Sequence, residues 1–225
     1  MLYLQSMKKF PKAGGKELKI LYPDTIKVID NDDFVFSLEK QMSVDDFNKI
    51  AGIKLTKISD CVYNIKENYP NSKRKFINNS KWEGKLIDYI PIPVKEKEWK
   101  ADAQEWVYVI VYAGKIVKLG RASSGLSGRF ASYNCGTKIA MKKGSCSTTN
   151  FVVTECNYFA LSLSLDVEIY AYKIKETRVP TGIKIAGEEL IARALIAPAL
   201  ESRLITLYKE ETGSIPPLCT QKGGE

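Results

Sequence analysis

Apolar residues are most dense in the middle of the chain, in two short runs rich in β-branched and aromatic side chains. The runs cover residues 107–112 and 116–119, and the joint between them contains Gly114. A glycine between two such runs is typical of a β-hairpin. The second run ends at Gly120, and after a joint rich in Ser and Gly a helix is predicted to begin near Leu126. The pattern therefore predicts a hairpin followed by a short helix.

Four polar side chains interrupt this apolar unit. Tyr108 lies on the first predicted strand and Lys118 on the second. Arg129 and Tyr133 are four residues apart, so they share one face of the predicted helix. Polar groups in such surroundings mark a candidate site. Each also has an ordinary structural explanation, because Tyr108 fits a tyrosine packed in a sheet, Lys118 a lysine on the solvent face and Arg129 a surface arginine.

Further elements are predicted before this unit. Ser43 is a good N-cap for a helix that ends near Gly52. Residues 55–65 carry apolar side chains at a spacing that indicates a marginally amphipathic segment. Residues 87–94 contain two prolines, so they are expected to be extended without forming a central strand. The charged run at residues 95–100 predicts a solvated linker or a helical turn.

This linker marks the predicted domain boundary. We assign residues 1–95 to an N-terminal extension and residues 96–225 to a second domain. Residues 1–6 resemble the remnant of an expression tag, in which case Met7 is the natural start.

Strands and helices are also predicted after the unit. Apolar runs indicate strands at residues 151–153 and 165–174. Apolar residues on one face indicate a helix at residues 187–197, and a second helix after it carries Glu201. Residues 215–218 are expected to run extended along the surface.

The composition agrees with a globular protein that has a sizeable core. The chain has 225 residues, of which 44% are hydrophobic. No apolar run approaches the length of about 20 residues that spans a bilayer, and the N-terminal residues lack the apolar core of a signal peptide. The five cysteines form no CxxC motif, and their spacings do not fit a zinc knuckle. Free thiols in a reducing cytoplasm are therefore expected.

Charge and histidine content narrow the possible functions. The formal net charge is +8, which fits a polyanionic partner and equally fits a basic surface with no such role. The chain contains no histidine. That absence excludes Ser-His-Asp and Cys-His catalysis, histidine-ligated zinc and any histidine general base.

The order of the polar residues resembles the catalytic core of the GIY-YIG nuclease family. Trp106-Val107-Tyr108 stands where the GIY triplet would stand, and Lys118-Leu119-Gly120 where YIG would stand. Arg129 and the late Glu201 occupy the places of the family arginine and glutamate. A lysine in the second triplet occurs in the restriction-enzyme branch, and the chain is most similar to the Helicobacter-type type II enzymes of that branch. The resemblance implies an α/β (α+β) fold, with a small antiparallel three-stranded sheet flanked by helices and an N-terminal extension.

The resemblance also implies a role for each site residue in metal-dependent hydrolysis of DNA. Tyr108 would be the general base, with its pKa lowered by the charges of Lys118 and Arg129. Arg129 would clamp the scissile phosphate, and Tyr133 would bind the phosphate or orient the water. Glu201 would bind Mg²⁺ or Mn²⁺, although a single glutamate on a helix is more commonly just exposed to solvent.

Double-stranded DNA is the partner that the resemblance to this nuclease family implies. Arg121 and Ser123 would contact the flanking backbone, and a basic loop would supply Lys138, Lys142 and Lys143. Double-strand cleavage would need either a homodimer, which a palindromic site favours, or two successive nicks. The N-terminal extension would serve recognition or dimerisation.

Two alternatives stay open. One is a nicking, repair or homing-type nuclease with looser specificity. The other is an inactive nucleic-acid-binding module, because both triplets are degenerate and Cys219 lies near the place where related enzymes carry an asparagine.

Overall fold

The structure is a computed structural model, and it describes most of the chain. The described residues are 12–13, 16–17, 38–64, 87–134, 136, 140, 144–186 and 188–219. No helix within these ranges is long and apolar enough to cross a bilayer.

Nine strands and five helices make up the described part of the chain. The strands are β1 (Lys12–Ala13), β2 (Lys16–Glu17), β3 (Thr56–Tyr63), β4 (Ile87–Pro91), β5 (Trp106–Tyr112), β6 (Lys115–Ala122), β7 (Val167–Lys173), β8 (Arg178–Ile185) and β9 (Glu188–Arg193). The helices are α1 (Val44–Ala51), α2 (Glu96–Trp99), α3 (Leu126–Asn134), α4 (Thr148–Ser162) and α5 (Ala197–Thr212), with a 3₁₀ turn at Pro93–Lys95. Strands β3 to β7 form one antiparallel sheet in the order β4-β3-β7-β5-β6, while β1 pairs with β2 and β8 with β9.

The predicted hairpin is confirmed as β5 and β6. Its two-residue turn has Ala113 at φ 46° and Gly114 at φ 80°. Positive φ at both central positions gives a turn whose twist matches that of the strands. All seven residues of β5 are buried, because the strand lies between β7 and β6 and helices cover both of its faces. This explains why β5 is continuously apolar instead of alternating.

Each face of the sheet has its own helical layer. Tyr108, Ile110 and Tyr112 point from β5 into the cluster that contains buried residues of α3 and α4. Val107 and Val109 point into the opposite cluster, which contains buried residues of α1 and α5. The helix that carries Glu201 therefore lies across the sheet from the helix that carries Arg129.

The outer edge of β6 is partly covered by other segments of the chain. The backbone N–H of Ile116 donates to the Met42 carbonyl at 2.9 Å, and the N–H of Leu218 donates to the Val117 carbonyl at 2.9 Å. Leu218 is only 2% exposed. The expectation that residues 215–218 lie along the surface is therefore wrong at its C-terminal end, because burying an apolar side chain and pairing a free strand edge both stabilise the packed position.

The expected three-stranded sheet is wrong in its number of strands, because the sheet has five within the part of the chain that the structure describes. The two additional strands, β3 and β4, precede residue 95 and join the sheet through β7. The apolar spacing in residues 55–65 predicts a marginally amphipathic segment, and β3 occupies most of this range. The edge position of β4 is confirmed and agrees with its proline content.

Two further predicted elements are wrong. The run at residues 151–153 belongs to α4, where Phe151 and Val153 are buried, because packing outweighs the weak preference of β-branched residues for strands. Residues 187–197, predicted as a helix, instead lie mainly in strand β9, which pairs with β8. Leu190 is 45% exposed and does not belong to a buried helical face.

The predicted helix limits elsewhere are confirmed. The Ser43 hydroxyl accepts a hydrogen bond from the Asp46 N–H at the start of α1, and Gly52 ends that helix in the left-handed conformation. Helix α3 begins at Leu126, and α5 ends at Gly213, also left-handed.

Candidate active site

The candidate site lies at the edge of β6, where groups from both faces of the sheet meet. Tyr108 is directly opposite Gly120 in the β5–β6 ladder and lies on the face covered by α3. Arg121 is the next residue of β6 and therefore points to the other face, where its side chain contacts Glu201 of α5. The end of the edge strand brings these groups together because, among the described residues, the sheet has no further strand beyond β6.

Three side chains form a closed triangle of hydrogen bonds. The hydroxyls of Tyr108 and Tyr133 are 2.6 Å apart. Arg129 donates from Nε to the Tyr108 hydroxyl and from Nη2 to the Tyr133 hydroxyl, both at 2.9 Å. The guanidinium carbon of Arg129 also lies 4.5 Å from the centre of the Tyr133 ring, within cation–π range. The triangle fixes one guanidinium and two phenols relative to each other.

Burial controls the pKa values of both tyrosines. The pKa of the Tyr108 phenol lies well above its ordinary value, because burial outweighs the neighbouring charges of Arg129 and Lys118. Burial likewise raises the pKa of Tyr133 to about 12, although Arg129 acts in the opposite direction. The expectation that the two cations lower the Tyr108 pKa below its ordinary value is therefore wrong for the free protein, since both ring hydroxyls lie away from water.

Gly120 makes room for the Tyr108 ring. A Cβ atom at this position would lie 2.5 Å from both Cζ and the hydroxyl oxygen of Tyr108. Such a distance is far shorter than an ordinary carbon contact of about 3.5–4.0 Å. The close approach gives a physical reason for a glycine at the end of the second triplet.

Lys118 is a buried cation, with only 5% of its surface exposed. Its Nζ donates to the carbonyl of Leu218 at 2.9 Å. The neighbouring Cys219 packs against the backbone of β6, where its Sγ accepts from the Leu119 N–H at 3.2 Å. Burial raises the pKa of the Cys219 thiol, despite the nearby charge of Lys118. The C-terminal segment therefore holds Lys118 in place through a backbone carbonyl.

Glu201 is the acidic group of the site. Its Oε2 accepts from Nη1 of Arg121 at 3.0 Å, and its side chain is 12% exposed. Burial raises the pKa of this carboxyl above its ordinary value, while Arg121, Lys118 and Arg129 act in the opposite direction. Glu201 is thus a largely enclosed carboxylate that faces three cations.

A lone carboxylate is compatible with Mg²⁺ or Mn²⁺. Within the part of the chain that the structure describes, no group of three or more Cys, Asp or Glu side chains is arranged to hold a metal ion. Mg²⁺ keeps several of its waters and is often bound by one or two carboxylates together with substrate phosphates. Glu201 therefore fits as the single protein ligand, provided that phosphate oxygens supply the rest of the coordination.

Two adjoining clefts open next to these groups, and Arg129 and Glu201 line both of them. The inner cleft has a volume of ≈ 210 Å³ and is also lined by Lys118, Leu119, Ser147, Thr149, Asn150, Ile205 and Cys219. Arg121, Ser123 and Ser124 line the outer cleft, where both serines are exposed. The clefts are polar and form one surface on which an extended anionic chain could lie.

The structure brings together the five residues predicted as the catalytic set, which are Tyr108, Lys118, Arg129, Tyr133 and Glu201. Of the predicted DNA contacts, Arg121 and Ser123 line the outer cleft. The other three, Lys138, Lys142 and Lys143, lie outside the described residues.

The start of α4 is a part of the site that the sequence reasoning missed. Ser147 caps this helix by accepting from the N–H of Asn150, and Ser147, Thr149 and Asn150 line the inner cleft. The signal in the sequence was a serine followed by Thr, Thr and Asn, which is typical of a helix start. The signal is obscured because residues 151–153, which are aromatic and β-branched, also fit a strand.

Comparisons with known proteins gave no match to a family model and no match among curated proteins. The chain is similar to the solved structure of restriction endonuclease HPY188I in complex with product DNA, with 24% identity and a TM-score of 0.48; the match covers 84% of this chain and 91% of that one. It is also similar to a mutant of EndoII from bacteriophage T4, with 12% identity and a TM-score of 0.47, over 75% of this chain and 96% of that one. Since both TM-scores are below 0.5, we draw no functional conclusion from these two similarities.

Proposed function

We propose that the chain is a metal-dependent, site-specific DNA endonuclease of the GIY-YIG, restriction type. The observation that supports this most is the hydrogen-bonded triangle of Tyr108, Tyr133 and Arg129 beside the enclosed carboxylate of Glu201. Hydrolysis of a phosphodiester needs a group that takes a proton from water, cations that stabilise the developing charge, and a stabilised leaving oxygen. The cluster contains a residue suited to each task.

Arg129 and Lys118 are suited to the phosphate. Arg129 donates from Nε and Nη2 to the two tyrosines. Among the described residues no contact uses its Nη1, which can therefore donate to a phosphate oxygen. Lys118 adds a second positive charge from the adjacent strand, fixed by the Leu218 carbonyl. Cations held in place before the substrate binds need little reorganisation during the reaction, so they stabilise the developing charge effectively.

Tyr108 is the proposed proton acceptor. Its hydroxyl lies 2.6 Å from that of Tyr133, so the Tyr133 hydroxyl can donate a hydrogen bond to the Tyr108 oxygen when that oxygen is ionised. Arg129 contacts both hydroxyls and stabilises whichever one carries negative charge. The raised pKa of Tyr108 keeps the phenol protonated in the free protein, so the phenol must first release its own proton to solvent before its oxygen can accept one from the attacking water.

Glu201 is the proposed ligand of Mg²⁺ or Mn²⁺. Such an ion supplies Lewis-acid stabilisation of the leaving oxygen when it is bound. Glu201 contributes a negative charge at a fixed position, because α5 is packed against β6 through Leu204 and Ile205.

The remaining parts of the proposal concern the partner and the assembly. Double-stranded DNA would lie along the two clefts, with Arg121, Ser123 and the basic residues Lys138, Lys142 and Lys143 on its backbone. A homodimer would place two active sites on a palindromic DNA sequence. The N-terminal extension would lie at the surface that recognises DNA or at the dimer interface.

A digest of supercoiled plasmid tests the proposal. Linear DNA or discrete bands should form with Mg²⁺, should not form with EDTA, and should be lost in Tyr108→Phe and Glu201→Ala while a gel shift persists. Glu210→Ala is the matched control, because Glu210 is an exposed glutamate on the same helix that contacts only a surface arginine among the described residues. Normal cleavage by both site variants would refute the assigned site. Nicked circles or smears in place of discrete bands would favour a nicking, repair or homing-type enzyme.

The second candidate function is a nucleic-acid-binding module without cleavage. It is favoured by the complete burial of Tyr108 and by the raised pKa of its phenol, both of which oppose its use as a base. A gel shift with the plasmid, combined with no cleavage under any metal condition, would select this candidate.

A further inference from the structure

Arg121 lies between a buried carboxylate and an open surface. Its Nη1 donates to Oε2 of Glu201 at 3.0 Å. The Arg121 side chain is 38% exposed, whereas that of Glu201 is 12% exposed. On its exposed side Arg121 lines the outer cleft together with Ser123 and Ser124. A small rotation of a long side chain would therefore exchange the carboxylate for a ligand in the cleft.

Glu201 is a poor ligand for a cation while this contact holds. One of its two oxygens is already engaged by Arg121. Its surroundings also contain Lys118 and Arg129, so three cations face one carboxylate and leave an excess of positive charge. A divalent cation that approaches the protein alone is repelled by this excess and must also displace a guanidinium group.

A DNA phosphate changes both conditions. Arginine binds phosphate through paired N–H donors, a geometry that matches phosphate as well as it matches carboxylate. Each phosphate in the clefts also adds a negative charge next to the cations. If Arg121 binds a phosphate in the outer cleft, Oε2 is released at the moment when the positive excess is cancelled.

We propose that Arg121 couples the binding of a divalent cation at Glu201 to the binding of DNA, by exchanging the Glu201 carboxylate for a DNA phosphate. The inference rests on the proposed nuclease function. It assigns Arg121 a positioning role: beyond holding the DNA backbone, the residue keeps the site from binding a cation until substrate is present.

Coupling of this kind is reciprocal. DNA should strengthen binding of the cation by the same factor by which the cation strengthens binding of DNA. Couplings between two ligands typically amount to roughly 5- to 150-fold in affinity. Removal of the Arg121 guanidinium should raise the affinity for the cation in the absence of DNA and reduce the further gain on adding DNA.

Titration with Mn²⁺ tests the proposal, with free Mn²⁺ measured by electron paramagnetic resonance. The parent chain carries Tyr108→Phe, which keeps the DNA duplex intact. It is titrated with Mn²⁺ first alone and then with a short duplex, and the duplex alone serves as the blank. We expect Arg121→Gln to bind Mn²⁺ several-fold more tightly than the parent without DNA and to show a smaller gain on adding the duplex. Glu201→Gln should abolish tight Mn²⁺ binding both in the parent and in the Arg121→Gln variant, which would locate the ion at this carboxylate.

Arg203→Gln is the matched control. Arg203 lies on α5 with Glu201 and is 65% exposed, and its substitution removes one positive charge from the surface. It should leave the affinity for Mn²⁺ and the gain with DNA unchanged. If Arg121→Gln binds Mn²⁺ no more tightly than the parent and shows the same gain with DNA, the coupling role is refuted. A similar gain in affinity in Arg203→Gln would also refute it, because net charge alone would then explain the effect.

The two proposals can fail separately. A wild-type chain that cleaves plasmid but shows no dependence of Mn²⁺ binding on Arg121 refutes only the coupling. A chain that cleaves nothing, yet binds Mn²⁺ through Glu201 in an Arg121-dependent manner, refutes only the nuclease function and supports the exchange.

Discussion

The substitution Gly120→Ala should disable the site by moving one ring. A methyl group at this position would lie 2.5 Å from Cζ and the hydroxyl oxygen of Tyr108. The ring is fully buried and packs against Phe130, with ring centres 4.9 Å apart, so it cannot turn without disturbing this contact. Relief of the clash requires either the ring or the β5–β6 pairing to move.

The size of the effect follows from these distances. Extension of a 2.5 Å contact to an ordinary one of about 3.5 Å moves the ring by about 1 Å. The same movement would stretch the 2.6 Å contact between the Tyr108 and Tyr133 hydroxyls beyond hydrogen-bond range. Overpacking of a core costs about 1–3 kcal/mol, and a lost buried hydrogen bond adds about 1 kcal/mol. The total is about 2–4 kcal/mol, and for a chain of this size each kcal/mol lowers Tm by about 2–4 °C, so we expect Gly120→Ala to lower Tm by about 4–16 °C.

Activity should fall further than stability. A displacement of about 1 Å in a catalytic group can reduce a rate by roughly 100-fold. Plasmid cleavage by Gly120→Ala, measured at a temperature where circular dichroism shows the variant to be folded, should therefore drop by about that factor while DNA binding persists.

Gly128→Ala is the internal control for this prediction. Gly128 lies within α3, and a Cβ atom there would meet nothing within 4 Å. Alanine in a helix interior is favoured over glycine by about 1 kcal/mol, so this variant should keep or raise Tm. If Gly120→Ala instead has the Tm of the wild type and cleaves at the wild-type rate, the close approach of Gly120 and Tyr108 does not constrain the site and the reasoning is wrong.

Three further predictions concern stability. Glu105 is 2% exposed and accepts from the N–H groups of Ile196 and Ala197 at the start of α5 at 3.1 and 3.2 Å. Glu105→Ala should lower the free energy of unfolding in urea by about 1–3 kcal/mol, and Glu105→Gln by less. Tm should fall as pH rises from 9 to 11, because Tyr133 ionises near pH 10 when unfolded but has a pKa of about 12 when folded. The fall should be smaller in Tyr133→Phe. Ser43→Ala should cost about 1 kcal/mol, since it removes the N-cap of α1.

Each of these has a contrary outcome. Equal urea midpoints for wild type and Glu105→Ala would show that the carboxylate does not support α5. A Tm that is constant from pH 9 to 11, or an equal fall in Tyr133→Phe, would show that Tyr133 does not ionise differently on folding. An unchanged Ser43→Ala midpoint would mean that solvent satisfies the Asp46 N–H as well as the hydroxyl does.

The sequence predicted those features that depend on a few neighbouring residues. The hairpin at Gly114, the N-cap at Ser43 and the pairing of Arg129 with Tyr133 on one helical face are all local, and all three are present. Local patterns contain enough information for such features because turn and cap geometry is set within a few residues.

The remaining features depend on distant parts of the chain. The pairing of β3 with β7 joins segments that the sequence pattern could not connect, and the buried carbonyl that holds Lys118 belongs to Leu218, a hundred residues later. The pKa of Tyr108 shows the same limitation. Charged neighbours can be read from the sequence, but burial, which dominates here, depends on the packed structure.

The position of β7 in the sheet has a consequence for the preparation of shorter fragments. This strand lies between β3 and β5, so it joins the strands that precede residue 95 to those that follow it. A fragment of residues 96–225 would leave the β3-facing side of β7 unpaired, with its N–H and C=O groups open to any other extended chain. Such a fragment should aggregate on expression unless residues 38–64 are supplied with it. Co-expression of the two pieces would therefore rescue solubility if β7 acts as the strand that joins them.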